Sequence, residues 1–281
     1  MRRRLRVSAA FDPGYLGDGS AFGVLGAEVA ATSRRWRDWP DVAAYDAFAD
    51  ELARVAERRL VFRDVDKARV LASGGYDAFI HQTGSIPTRP RTWHDFFNAC
   101  IWSRFPHAKV GLHRSMLREY PARVAGRRTR RQDWLTHLDE CGVLIIGADP
   151  ALLELVRSLA WDELFLRRRA AFDRDIFVLC FGHAILEALR EPFVGLMGKA
   201  VLCSDPGVAR AGSPEERQRR ADVWLAGLLE HQELPPLLAL PVLGVPGWHA
   251  SNEDPSYYAN AAYFRARPSR PSTLAQPSSP T

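Results

Sequence analysis

The sequence predicts a helix-dominant α+β fold, arranged as a single domain over residues 1–265 with a few short strands. Three observations predict it. Apolar residues recur at three-to-four spacing in several segments, the period of a helix with one buried face. Short runs rich in Val, Ile, Leu and Phe are closed by glycine, as buried strands are. The order of these segments is not a clean alternation of strand and helix, which argues against a doubly wound parallel sheet. Composition agrees: of 281 residues, 47% are hydrophobic and 25% charged, enough apolar side chain for a sizeable core.

Taken along the chain, residues 41–59 carry Val42, Tyr45, Phe48, Leu52 and Val55 at helical spacing, and the run 59–62 reads as a strand. Residues 78–81, Ala-Phe-Ile-His, read as a second strand running into the turn signal Thr83-Gly84-Ser85. Thr92, with Asp95 three residues on, has the form of a capping box, so a helix is expected from Trp93. That helix ends before Pro106, which suits the first turn of the next one. Two buried strands are expected at 142–147 and 176–180, and helices at 151–159 and 221–229. Residues 234–248, LPPLLALPVLGVPGW, bear no charge, but their four prolines would break a membrane helix repeatedly. They read as an extended segment over the core, and no membrane partner is expected. The tail, 266–281, is rich in Pro and Ser and is expected to be disordered.

The net charge of +5 has a local source. Residues 104–131 hold nine Lys or Arg and one acidic residue, a net of +8, which leaves −3 for the rest. Only three of the 38 basic residues are lysine, a bias that GC-rich codon usage also produces. The run could bind phosphate or nucleic acid, or form a solvated loop; no aromatic residues interleave over 123–131 to stack single-stranded bases. The four cysteines lie far apart with no CxxC pair, so a zinc ribbon is excluded and reduced thiols in a cytoplasm are expected. No glycine-rich phosphate loop, HExxH or GxSxG occurs.

The densest polar pattern lies in 87–119. His94 and Asn98 stand at i and i+4 on one helix face, and Lys109 follows on the next helix. They form a site, with His94 as acid/base or ligand, Asn98 as an orienting partner and Lys109 as an anion-binding charge, or buried polar groups satisfied by backbone, or part of a helix–turn–helix for DNA. Asp139 and Glu140 fall at a helix C-terminus, where the dipole disfavours carboxylates. Either an ion pair with the nearby arginines or a site would place them there. His183 begins a helix directly after a strand, with Glu187 one turn on; two such groups suit a metal but do not complete a site. Asn252 lies in a turn-rich loop and is either a site residue or a turn former.

Four stretches, PTRPRTWHDFFNACIWSRFPHAK (87–109), RQDWLTHLDECG (131–142), FGHAILEAL (181–189) and PVLGVPGWHASNE (241–253), together resemble a bacterial family known as domain of unknown function 3025. The resemblance implies a related fold and carries over no activity. From the residues themselves the expected function is hydrolysis of an anionic or phosphate-bearing substrate. His94 and His183 are the acid/base candidates, Asp139 and Glu140 the carboxylates, and Asn98, Lys109, Arg131 and Asn252 the substrate-binding residues. The alternative is a non-catalytic module that binds nucleic acid or a protein through the arginine-rich surface. Space discriminates them: a site requires these residues to converge in one pocket.

Overall fold

The computed structural model describes residues 10–17, 21–48, 50–56, 58–122 and 127–265. The expected tail at 266–281 and Arg123 of the basic run lie outside them. Helices α1 (Gly26–Ser33) and α2 (Asp50–Val55) lead to strand β1 (Val61–Arg63). Helices α3 (Lys67–Ala72) and α4 (Tyr76–Thr83) precede β2 (Ser85–Pro87). Then come α5 (Trp93–Arg104), α6 (Pro106–Arg118), α7 (Arg130–Cys141), β3 (Gly142–Gly147), α8 (Pro150–Arg157), α9 (Arg169–Asp175) and β4 (Ile176–Cys180). The chain continues with α10 (His183–Leu189), β5 (Met197–Cys203), α11 (Pro206–Ala209), α12 (Pro214–Glu230) and β6 (Leu238–Pro241), and the remainder is mostly 3-10 turns. This is a helix-dominant α+β fold.

The larger sheet runs β4-β3-β5-β6, with β3 antiparallel to β4 and parallel to β5, and β5 antiparallel to β6. All six residues of β3 are buried, so its unbroken apolar run reflects a central strand covered on both faces. The second sheet is the parallel pair β1-β2. Helix α5 is buried nearly all round, through Trp93, Phe96, Phe97, Ala99, Cys100, Ile101 and Trp102. A helix with apolar residues on every side belongs inside the core, and α5 is the axis on which the others pack. Helix α12 lies along α6, and α10 packs on both α5 and α7.

Strands β3 and β4 and the helix start at Trp93 agree with expectation, while four features differ. Residues 41–59 form a 3-10 segment, Val42–Phe48, and the separate α2, rather than one helix. Their apolar spacing is satisfied, with Val42, Tyr45, Phe48 and Leu52 all buried. Residues 78–81 lie in helix α4, not a strand; Asp77 stands in its first turn, Gly84 closes it at φ 70°, and Ala78, Phe79 and Ile80 are its inward face. A short apolar run does not by itself distinguish the two states. No strand is expected at β2 or β5, whereas β6 falls within the segment expected to be extended. In the capping box, Thr92 accepts from the Asp95 N–H, but the Asp95 carboxylate turns to Arg89, accepting from its backbone N–H at 2.6 Å and its guanidinium at 2.8 and 2.9 Å. The 234–248 segment supplies β6 and the buried residues Leu240, Val242, Leu243 and Val245. Among the described residues, no helix is long and apolar enough to cross a membrane.

Candidate functional site

The site follows from the register of two strands. Helix α7 runs directly into β3, and β4 runs through Phe181 and Gly182 into α10. Val143 pairs with Cys180, and the backbone N–H groups of Phe181 and Gly182 both donate to the Gly142 carbonyl. The last turn of α7 and the first turn of α10 therefore meet, which brings His183 to Asp139 and Glu140. The approach needs a glycine: a Cβ on Gly182 would lie 2.4 Å from the Gly142 nitrogen and 2.5 Å from the Glu140 carbonyl oxygen. Helix α5 packs on α10 and adds His94 and Asn98, α6 adds Lys109 from below, and α4 adds Tyr76.

His94 and His183 face each other edge to face, their Nε2 atoms 3.0 Å apart. His94 donates from Nδ1 to the Glu187 carboxylate at 3.1 Å. His183 Nε2 lies 3.7 Å from Glu140 Oε2, and its Nδ1, buried and without a hydrogen bond, is 3.9 Å from Asp139 Oδ1. Asp139 accepts from Lys109 Nζ at 2.5 Å. Lys109, 1% exposed, also donates to Asn98 Oδ1 at 3.0 Å, and the Asn98 amide donates to the Tyr76 hydroxyl at 2.9 Å. A buried ammonium is tolerated because two of its donors are taken by a carboxylate and an amide and it lies over the Trp102 ring at 4.9 Å.

The ionisation of these groups is uneven. Burial pushes His183 down to about 3, with the Lys109 and His94 charges adding to it and Asp139 opposing. Burial also works against a charged His94, but the Glu187 hydrogen bond and the Glu140 charge outweigh it and raise its pKa. Burial would raise Asp139, yet Lys109 and then His183 hold it below the ordinary carboxylate value. Glu140 is raised, by burial first. The cluster thus places a neutral imidazole, a more basic imidazole and two unlike carboxylates within reach of one another.

The cluster opens on a cavity of about 390 Å³ lined by His94, Asn98, Asp139, Glu140 and His183. Thr136 and the exposed cations Lys67, Arg89 and Arg128 also line it. Two expected substrate-binding residues lie elsewhere. Arg131 donates to Ser115 and to the carbonyls of Leu229, His231 and Gln232, neutralising the C-terminal end of α12. Asn252, 1% exposed, donates to the carbonyls of Leu243 and Val245 and secures the loop after β6. Lys109 reaches the cluster but does not line the cavity, and its charge is spent on Asp139. Glu187 was seen in the sequence only as a helical neighbour of His183; it serves His94 instead, across the α5–α10 contact. Tyr76 carried no sequence signal.

Fold and pocket together define a helix-dominant α+β protein with a histidine–carboxylate cluster at the junction of three helix ends. The chain belongs to the family described as protein of unknown function (DUF3025), whose model matches residues 62–269. No match was found among curated proteins or among solved structures.

Proposed function

We propose that the protein is an enzyme that hydrolyses an anionic or phosphate-bearing substrate in the 390 Å³ pocket. One observation carries the reading: His94, Asn98, Asp139, Glu140 and His183, drawn from three helices distant in sequence, meet at one solvent-open cavity with their reactive atoms turned toward one another. Core histidines satisfied by backbone would have no reason to converge so. In this reading a water at the His94–His183–Glu140 centre attacks the electrophilic atom of the substrate. Its proton passes to a carboxylate oxygen of Glu140 and returns from there to the leaving group as the scissile bond breaks. Lys67 and Arg128 bring the anion to the pocket, the Arg89 guanidinium being paired with Asp95.

The basic run supports a separate nucleic-acid surface less well. Arg104 donates to the Val24 carbonyl and to Gln218, Arg118 pairs with Glu230, and Lys109 and Arg131 are committed as described. Arg127, Arg128 and Arg130 remain exposed. All four cysteines are free and three are buried, which fits a reducing cytoplasm as the site of action.

The test is turnover by the purified full-length chain on phosphomonoesters, phosphodiesters and carboxylate-bearing esters and amides. Hydrolysis of one class is expected, and His94→Gln is expected to lower its rate about 100-fold or more, the scale of a lost acid–base or activating group. Absence of turnover on every class, or a rate untouched in His94→Gln, overturns the proposal.

A further inference from the structure

We propose that His94 Nε2, His183 Nε2 and a Glu140 carboxylate oxygen bind one divalent transition-metal ion of the zinc class, with a fourth position open to the pocket. The inference deepens the hydrolytic reading, naming what activates the water, but it stands on geometry of its own. The three ligand atoms lie within 4.8 Å of one another. The Nε2 atoms are 3.0 Å apart, and Glu140 Oε2 is 3.7 Å from His183 Nε2. Ligands at the ordinary bond lengths of tetrahedral zinc stand about 3.3 Å from each other. Opening the first distance and closing the second by a few tenths of an ångström produces two edges of that tetrahedron; the third, between His94 and Glu140, lies within 4.8 Å and closes as the Glu140 side chain, only half-buried, swings inward.

The group behind one of the ligands matches the pattern of a metal site. A ligating histidine donates its other ring N–H to a carboxylate, which orients the ring and directs a lone pair at the ion. His94 does so: Nδ1 donates to Glu187 Oε2, which leaves Nε2 to face the cluster. His183 Nδ1 makes no such bond, its nearest carboxylate being Asp139 at 3.9 Å, which Lys109 holds in place. Two imidazoles and one carboxylate suit zinc and its neighbours rather than magnesium or calcium, which favour all-oxygen sets. Three protein ligands on the wall of a cavity leave the open coordination position of a catalytic site rather than a closed structural one. The flanking cations Lys67 and Arg128 would seat an anionic substrate against a water held there.

The measurement is metal content and affinity, separate from turnover. Full-length protein stripped with a chelator and titrated with zinc is expected to take up one ion per chain, with cobalt substituting and giving the visible bands of a four- or five-coordinate site. Glu140→Gln keeps the size of a half-exposed side chain and is expected to weaken zinc by tenfold or more, as is His94→Gln. Glu187→Gln, which removes no ligand, is expected to weaken it about tenfold. Circular dichroism melts on each variant separate lost binding from lost folding. No stoichiometric zinc on folded protein overturns the inference, as does affinity unchanged in both Glu140→Gln and His94→Gln, or tighter binding of magnesium or calcium than of zinc. Turnover by fully stripped protein would remove the metal and leave the hydrolytic reading; stoichiometric zinc without turnover would do the reverse.

Discussion

Lys109 and Asn252 show how differently two buried polar residues can be used. The Lys109 ammonium lies beneath the cluster and neutralises Asp139, so its removal leaves a carboxylate with no counter-charge. Lys109→Met is expected to cost about 3 kcal/mol of unfolding free energy in urea titrations. Most of that loss should return in the double variant with Asp139→Asn, which leaves no unpaired charge. Asn252 instead ties two carbonyls of the loop after β6. Asn252→Ala is expected to lose about 1–3 kcal/mol, since buried acceptors are orphaned, while zinc affinity and turnover at the pocket stay unchanged. A fall in affinity or rate with stability intact would mean that Asn252 touches a ligand after all.

At the scale of elements, the close approach of α7 and α10 decides the site. It rests on Gly182, whose φ of −73° any residue could adopt; what excludes a side chain is the neighbouring backbone. Gly182→Ala would place a methyl against the nitrogens of Gly142 and Cys141 and the carbonyl of Glu140, none of which can rotate away. The expected outcome is about 1–3 kcal/mol of destabilisation from overpacking and a separation of His183 from Glu140, read as a lower melting temperature together with weaker zinc binding. Wild-type affinity in a folded Gly182→Ala protein would show that the junction tolerates the shift. Helix α7 also explains why two carboxylates sit at the unfavourable end of a dipole. Asp139 is balanced by Lys109 from a neighbouring helix, and Glu140 faces the histidines.

For the molecule as a whole, residues ahead of the family match buttress the site from behind. Phe11 stacks on Trp93 at 5.3 Å, Trp39 meets the same ring edge-on at 4.8 Å, and Tyr45 packs on Phe96. Trp93 precedes His94, so this aromatic layer holds the α5 turn that carries the histidine. Trp39→Ala is expected to cost about 3–5 kcal/mol, the range for a large buried ring, with loss of near-ultraviolet dichroism on mild heating. The charge distribution belongs to this scale too. Because Arg104, Lys109, Arg118 and Arg131 of the basic run already have partners in the chain, nucleic-acid binding is expected to be weak, indifferent to sequence and steeply reduced by salt. A salt-tolerant, sequence-specific complex in filter binding would contradict this.

What the sequence by itself determined is local. The start of α5 at Thr92, the break at Pro106, strands β3 and β4, and the pairing of His94 with Asn98 on one helix face all follow from caps, proline and short-range periodicity. The members of the His–carboxylate cluster were legible as residue types at the ends of three helices. Tertiary structure decided the rest, because it depends on contacts between distant segments. Residues 78–81 became helix once Ala78, Phe79 and Ile80 could bury one face, and β5 and β6 gained their state only from the sheet they complete. The β3–β4 register, not any motif, carried His183 to Glu140. The packing of α10 on α5 gave Glu187 to His94 rather than to its own helical neighbour, while contacts of α7 with α6 and the end of α12, and of the 250–253 turn with 243–245, took Arg131 and Asn252. Spacing along a helix fixes a neighbour one turn away; whether two helix ends meet is settled by the sheet and core that bury them both.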